Sequence, residues 1–192
     1  MEDLENQKQV WNNIAEEWHD FKKKTNPDNI EFVSGASGKL LDLGAGTGRY
    51  FPSSPVKVEI YALDFSEEMI KYAKKTAKEK NIKNIKFFVS PAEKLPFEDN
   101  FFDNVLCVAL LHCIQSNASR KKVLKEIFRT LKPKGKLKIS VWNKNSTRFL
   151  KKAKEDTVSW RDKGRRYYYF YDEDEFINEL KKAGFKILKK KI

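Results

Sequence analysis

The sequence predicts an α/β fold, a doubly wound and mostly parallel sheet with helices on both faces. Three observations carry that expectation. Short apolar runs recur at residues 39–43, 58–63, 85–89, 104–110 and 136–142, the length of buried strands rather than of buried helices. Segments with helical spacing or helical caps stand between several of them, the alternation that builds parallel sheets. A glycine-rich turn, Gly44-Ala45-Gly46-Thr47-Gly48, follows directly on the first run, where such sheets place a ligand.

The elements follow in order. Over residues 4–24, Trp11, Ile14, Trp18 and Phe21 fall at helical spacing. Asn26-Pro27 ends that helix. Residues 30–33 are short and ambiguous, and residues 35–38 form a turn. The strand at 39–43 runs into the glycine turn, and the strand at 58–63 ends at Asp64. Ser66 caps a helix over 67–80, with Glu67 and Glu68 in its first turn facing the positive end of the helix dipole. A third strand covers 85–89, and the fourth, 104–110, is apolar enough to be central. A helix over 119–131 is closed by Lys132-Pro133-Lys134-Gly135, and a fifth strand follows at 136–142. Residues 146–171 show no clear period. A last helix over 172–183 stops at Gly184, and Phe185 begins a further strand. The reading is one domain over residues 1–192: an N-terminal helical cap (1–38), a ligand-binding core (39–142) and an acceptor-side region (143–192).

Composition narrows the classes. The chain has 192 residues and no apolar run of membrane-spanning length. The polar opening MEDLENQKQVW is not a secretory signal. The two cysteines, Cys107 and Cys113, form no CxxC pair, which argues against a disulfide framework or structural zinc and fits a reducing, cytoplasmic compartment. Lysine and arginine total 39 against 27 acids, a net charge of +12. A field of that sign attracts polyanions, nucleic acid above all. Heat-adapted proteins are also rich in Lys and Glu, but such an excess is roughly neutral.

The glycine turn distinguishes nucleotides. The dinucleotide fingerprint is G-x-G-x-x-G. Here the spacing is G-x-G-x-G, and Arg49 occupies the position of the third glycine. Pro52 and Pro55 weaken any helix after the turn, and a pyrophosphate needs a firm helix N-terminus. Both features argue against a dinucleotide. Asp64, at the end of the second strand, is placed to accept hydrogen bonds from ribose hydroxyls.

Leu41-Asp42-Leu43-Gly44-Ala45-Gly46-Thr47-Gly48 resembles the first motif of class I (Rossmann-like) methyltransferases. Asp64-Phe65-Ser66-Glu67-Glu68-Met69-Ile70 resembles their acidic-loop motif. Ala92-Glu93-Lys94-Leu95-Pro96-Phe97 with Phe102-Asp103-Asn104-Val105, and then Leu131-Lys132-Pro133-Lys134-Gly135-Lys136-Leu137, resemble the later motifs in the right order. The resemblance implies S-adenosyl-L-methionine as cofactor. It places Gly44, Ala45 and Gly46 at the methionine part, Asp64 at the ribose diol and Phe65 beside the adenine, and it counts Asp42 and Met69 among the cofactor-binding residues. Ala92 and Glu93 meet the adenine edge, and Val108 lines the methyl end. Many relatives have Asp where this chain has Pro91, which removes a side-chain acceptor for the adenine amino group.

On the acceptor side, Trp160-Arg161 and Arg165-Arg166-Tyr167-Tyr168-Tyr169-Phe170-Tyr171 combine guanidinium groups with aromatic rings. That chemistry suits anion pairing with base stacking. Tyrosines packed into the core, with arginine in solvent, fit the same residues. Trp11-Asn12-Asn13-Ile14-Ala15, His112-Cys113, Ile139-Ser140-Val141-Trp142 and the Arg-Tyr segment together resemble the tRNA wobble-uridine carboxymethyl methyltransferases, including the domain fused to an AlkB-type oxygenase. Tyr169, Cys113 and Lys24 depart from that pattern, and the chain ends soon after Phe185, where the fold usually adds an antiparallel strand. This resemblance implies methyl-ester formation on a carboxymethyl group. Arg166 and Lys24 would steer the carboxylate, and His112 would orient the uridine, or else serve a structural role. Arg165, Tyr167, Tyr168 and Trp160 would contact RNA, and the basic stretches at 71–86 and 148–166 would track its backbone. It also implies a small zinc-binding activator subunit at the edge strand 85–89; the chain itself presents no metal site. Two other readings stay open, a small-molecule methyltransferase and a catalytically silent interaction subunit.

Overall fold

The computed structural model describes residues 6–21, 24–53 and 57–191. Its elements are α1 (Gln7–Phe21), α2 (Pro27–Ser34), β1 (Gly38–Leu43), β2 (Val58–Asp64), α3 (Glu67–Glu79), β3 (Ile85–Val89), β4 (Phe102–Val108), a 3-10 turn (Leu111–Cys113), α4 (Asn117–Thr130), β5 (Leu131–Ser140), β6 (Glu155–Ser159), β7 (Arg165–Tyr169) and α5 (Glu173–Lys182). Five strands form one parallel sheet in the order β3-β2-β1-β4-β5. The expected α/β class is therefore the observed one.

Strand pleat sorts the core into two layers. Side chains alternate across a strand, so Leu41 and Leu43 of β1 join Tyr61, Leu63, Val105 and Cys107 on one face, against Val123, Leu124 and Ile127 of α4 and Leu180 of α5. Leu40 points the other way and joins Ile60, Ala62 and Leu106, against Val33 of α2 and Ala73 and Ala77 of α3. Residues 40–43 of β1 are all buried, as a central parallel strand covered on both faces requires. β3, at the edge, is only partly covered.

Local chemistry sets the helix starts. Ser66 Oγ accepts from Met69 N (3.0 Å) at the start of α3, and Ser116 does the same for Ser119 at α4. Asn26 caps α2 through Asp28 N, with Pro27 in the first turn. The ambiguous segment at 30–33 is thus helical, and Asn26-Pro27 both ends one helix and starts the next. The fourth strand stops at Val108 because Ala109 turns to φ +57°. The fifth begins earlier than expected, at Leu131, with a register shift opposite residues 102–104 of β4. Residues 146–171 resolve into the antiparallel hairpin β6–β7, a separate two-stranded sheet. The strand expected from Phe185 is corrected: residues 185–188 carry no strand pairing, although Phe185 and Ile187 pack on the core.

Helix α1 lies on α3 and on the hairpin rather than on the sheet. Ile14, Ala15 and Met69 form its buried centre, with Trp11, Trp18, Tyr72 and Trp160 around them. Asn12 Oδ1 accepts from Ser66 Oγ at 2.6 Å, and Gln7 bridges Tyr167 N (2.9 Å) and Arg165 O (3.1 Å) of β7. Glu17 accepts from Trp160 Nε1 at 2.8 Å and pairs with Arg161 and Lys163. Among the described residues no helix is long and apolar enough to cross a membrane.

One ion network holds the loop that precedes β4. Arg129 on α4 pairs with Glu126 (2.7 Å) and Asp99 (2.8 Å) and donates to Phe97 O and Leu95 O, while Glu126 accepts from Leu95 N at 2.8 Å. Glu126→Ala removes the acceptor for both and is expected to cost about 1.5–3 kcal/mol, the range for hydrogen bonds to charged groups. Denaturant unfolding measures that loss, and faster amide exchange at Leu95 locates it.

Candidate functional site

The sheet order reverses between β1 and β4, so the connections leaving these strands diverge and open a crevice at their carboxyl ends. A cavity of about 330 Å³ occupies it. Gly44, Gly46 and Gly48 take φ of +72°, +54° and +80°, conformations that favour glycine. A Cβ on Gly44 would meet Leu110 at 3.0 Å, and one on Gly48 would meet the Phe51 ring at 2.4 Å. Gly46 has nothing within 4 Å of that position, so its backbone faces open space. The turn is held by Gly44 N and Ala45 N donating to Leu63 O, and by Thr76 Oγ1 donating to Thr47 O at 2.7 Å.

Asp64 sits at the centre of the cavity wall. Its carboxylate accepts from Gly46 N (2.9 Å) and Ser66 N (3.0 Å), joining the glycine turn to the start of α3. Burial pushes its pKa up to about 6, and the backbone donors, Ser66 N first, restrain the rise. Asp42, at the end of β1, is pushed up to about 7, first by burial and then by the charge of Asp64. Among the described residues no donor is paired with Asp42. The wall therefore carries two buried carboxyl groups with acceptor capacity to spare.

All ten residues expected at the cofactor line this one cavity: Asp42, Gly44, Ala45, Gly46, Asp64, Phe65, Met69, Ala92, Glu93 and Val108. The residues expected at the acceptor do not. Lys24 is exposed and lines a neighbouring cleft. Arg166 is 5% exposed and stands behind the wall, 5.4 Å from the Trp18 ring and 5.9 Å from the Trp11 ring. Its Nη1 donates to Tyr168 Oη at 2.7 Å and its Nε has no partner. No carboxylate pairs with it among the described residues. Arg165 is exposed on β7, where its Nε donates to Thr157 Oγ1.

The expected stacking surface needs correction. Tyr167 and Tyr168 are 3% and 1% exposed, so neither ring offers a face to an incoming base. Tyr167 Oη instead donates to Gln115 O (3.0 Å), fixing the loop after the 3-10 turn. Tyr168 stacks on Trp142 at 4.3 Å in a layer that includes Phe149 and Phe170. Trp160 packs on Trp18 and Phe21 and is held by Glu17. His112 is 1% exposed, stacks on Trp142 at 5.0 Å and does not line this cavity. Desolvation lowers its pKa to about 3, which favours the neutral imidazole near neutral pH.

Residues with no assigned role in the sequence reading complete the wall. Gln7, Trp11 and Trp18 project from α1, and Cys113, Ile114 and Gln115 follow the 3-10 turn. The helical period of α1 exposes its apolar stripe in the sequence, but not the element that stripe will cover. Arg49 and Tyr50, straight after the glycine turn, line the cavity as well; their signal was the missing third glycine.

A family model described as "Methyltransferase domain" matches residues 41–139. "Uncharacterized protein MJ1123" from Methanocaldococcus jannaschii is 32% identical over 94% of this chain and 82% of its own length. The "Ubiquinone/menaquinone biosynthesis C-methyltransferase UbiE" of Wigglesworthia glossinidia brevipalpis is 34% identical over 74% of this chain and 53% of its own length. The chain thus spans about half the length of several curated relatives it matches. A solved SAM-dependent methyltransferase from Thermotoga maritima superposes with a TM-score of 0.65 at 25% identity, over 93% of this chain and 81% of that one. The family match runs from β1 through the glycine turn to β5, the stretch that builds the cavity, and the chain belongs to the S-adenosylmethionine-dependent methyltransferase family.

Proposed function

We propose that this chain transfers a methyl group from S-adenosyl-L-methionine to a carboxylate, and that the acceptor is the carboxymethyl group of a wobble uridine in tRNA. The observation that carries the acceptor chemistry is Arg166. A guanidinium this deeply buried is ordinarily paired with an acid, and here its Nε is free, one side chain behind the cavity wall. An anionic acceptor entering between α1 and the hairpin would complete it.

The cavity fits the cofactor. The open space over Gly46 admits close backbone approach, the ionised form of Asp64 can accept from ribose hydroxyls, and the unpartnered Asp42 carboxylate suits a cationic ligand. Bound there, S-adenosyl-L-methionine supplies an electrophilic methyl group on a sulfonium. A carboxylate acceptor would take that methyl group as an ester, with the sulfonium left as a neutral thioether. No proton moves, so no general base is required. That agrees with a neutral His112 and with Cys113, whose thiol burial raises far above neutrality. The protein's contribution is placement. Trp11 and Trp18 of α1 exclude water, Cys113, Ile114 and Gln115 shape the methyl end, and Arg166 orients the acid. Arg166 must not hold it too tightly, since the carboxylate loses charge in the transition state.

Exposed lysines on α3 (Lys71, Lys74, Lys75 and Lys78) and exposed Arg165 support contact with an RNA backbone. The partly covered edge of β3 suits the pairing of an activator subunit. A second reading is a small-molecule acceptor. The roofing of the cavity by α1 and the quinone-methylating relatives favour it.

Three outcomes test these readings. Labelled S-adenosyl-L-methionine should label tRNA carrying carboxymethyluridine, in a base-labile form, and not the unmodified tRNA. Label entering a quinone or other metabolite instead would move the assignment to the second reading. Arg166→Ala should lower kcat/KM about 100-fold, mostly through acceptor KM, with cofactor affinity kept; about 3 kcal/mol is the scale for an unpaired charged contact. Cofactor binding should also be linked to pH. Asp42 and Asp64 have raised pKa values in the fold, so protonation stabilises the cofactor-free protein below the usual carboxylate pKa, and that contribution is lost as pH rises through about 6 to 7. A cationic sulfonium and hydroxyl donors favour the ionised acids, so binding at about pH 6.5 should release protons and binding at about pH 8 should not. Calorimetric titration in buffers of different ionisation enthalpy reads this directly, and the neutral demethylated cofactor should release fewer.

A further inference from the structure

Beside the cofactor cavity lies a second cleft of about 760 Å³, lined by Phe21, Lys24, Asn26, Arg49 and Tyr50 among others. Arg49 and Tyr50 line both spaces, so the two meet at these side chains. Arg49 and Tyr50 belong to the turn residues that follow the strand β1. The charge of the cleft is unbalanced. Asp28, the acid of its lining, is already paired with Lys191 at 2.6 Å, which holds its carboxyl below the usual range. Among the described residues neither Lys24 nor Arg49 has an acidic partner. Arg49 is held only against aromatic faces, 5.8 Å from the ring centres of Trp18 and Tyr50. A guanidinium kept in place by rings leaves its planar edge of N–H donors free for a bidentate anion.

We infer that this cleft binds a phosphate group of the acceptor, through Arg49 and Lys24, while the reacting end of the acceptor occupies the cofactor cavity. Lys24 thereby acquires a role distinct from carboxylate steering: it anchors the acceptor's body. Arg49 is the pivot, since an acceptor that spans both spaces must pass it. Phe21, exposed and packed edge-on against Trp160, lines the cleft with the two cations, and aromatic rings beside cations accommodate a phosphorylated, ring-bearing ligand. The inference deepens the proposed anionic acceptor and rests on that reading only for whose phosphate is bound.

The test needs no turnover, so its failure is separable from failure of the methyl-transfer proposal. Wild-type protein saturated with S-adenosyl-L-methionine is titrated with inorganic pyrophosphate and with a pentauridylate, followed by Trp fluorescence and calorimetry. Both probes should bind, more weakly with added salt. Arg49→Ala and Lys24→Ala should each weaken binding about tenfold or more, Arg49→Lys should restore part of it, and in Lys24→Ala cofactor affinity should change less than twofold. Tighter pentauridylate binding assigns the phosphate to a polynucleotide; tighter pyrophosphate binding assigns it to a small phosphorylated acceptor. No binding to the cofactor-loaded protein overturns the site. So does a large loss of cofactor affinity in Arg49→Ala with Lys24→Ala silent, which would give Arg49 to the methionine carboxylate of the cofactor.

Discussion

Two backbone N–H groups on one buried carboxylate organise the ligand cavity. Asp64 accepts from Gly46 and from Ser66, so the glycine turn after β1 and the first turn of α3 after β2 are fixed to the same side chain. Both segments leave neighbouring parallel strands at their carboxyl ends, where the crevice opens. These donors restrain the rise that burial gives the pKa of Asp64, and burial, then the charge of Asp64, raises that of Asp42. Strand order, turn conformation and cavity charge thus meet at one residue. Ser66 extends the same arrangement outward, because its hydroxyl caps α3 and also reaches Asn12 of the cap helix.

The cap is held by polar latches at its two ends and by an aromatic centre. Gln7 extends the hydrogen bonding of β7, and Glu17 gathers Trp160, Arg161 and Lys163 from the hairpin turn. Between them Arg166 stands among Trp11, Trp18, Trp160 and Tyr168, at 5.0–5.9 Å from each ring. Cation–π contacts are weaker and less directional than an ion pair. They hold the guanidinium among rings near the cavity, with Nη1 on Tyr168 Oη and Nε without a partner.

Much of this architecture was legible in the sequence. The period of the apolar runs identified the parallel strands, and the helix caps at Ser66 and the proline signal at 26–27 marked real boundaries. The ten residues expected around the cofactor share one cavity because their positions depend on short-range geometry: a strand, a glycine turn, and the ends of adjacent strands in register. The hairpin at 146–171 was not legible. Its strands draw their order from packing on Trp142 and on α1, contacts between residues distant in sequence. The unpaired stretch at 185–188 shows the reverse error, an alternating pattern that finds an apolar surface but no strand partner.

Fold class, the switch-point turn and the residues that line the cavity were readable from the residues alone, because short apolar runs, a glycine-rich turn and a strand-end acid are local features. The surroundings of the residues read as acceptor-side came from the folded chain alone. It placed the tyrosines of β7 in the core, desolvated His112, and set Lys24 at an open cleft and Arg166 among buried rings. Residue type states what a side chain can do; burial and partners, which depend on the whole chain, select which of those capacities remains.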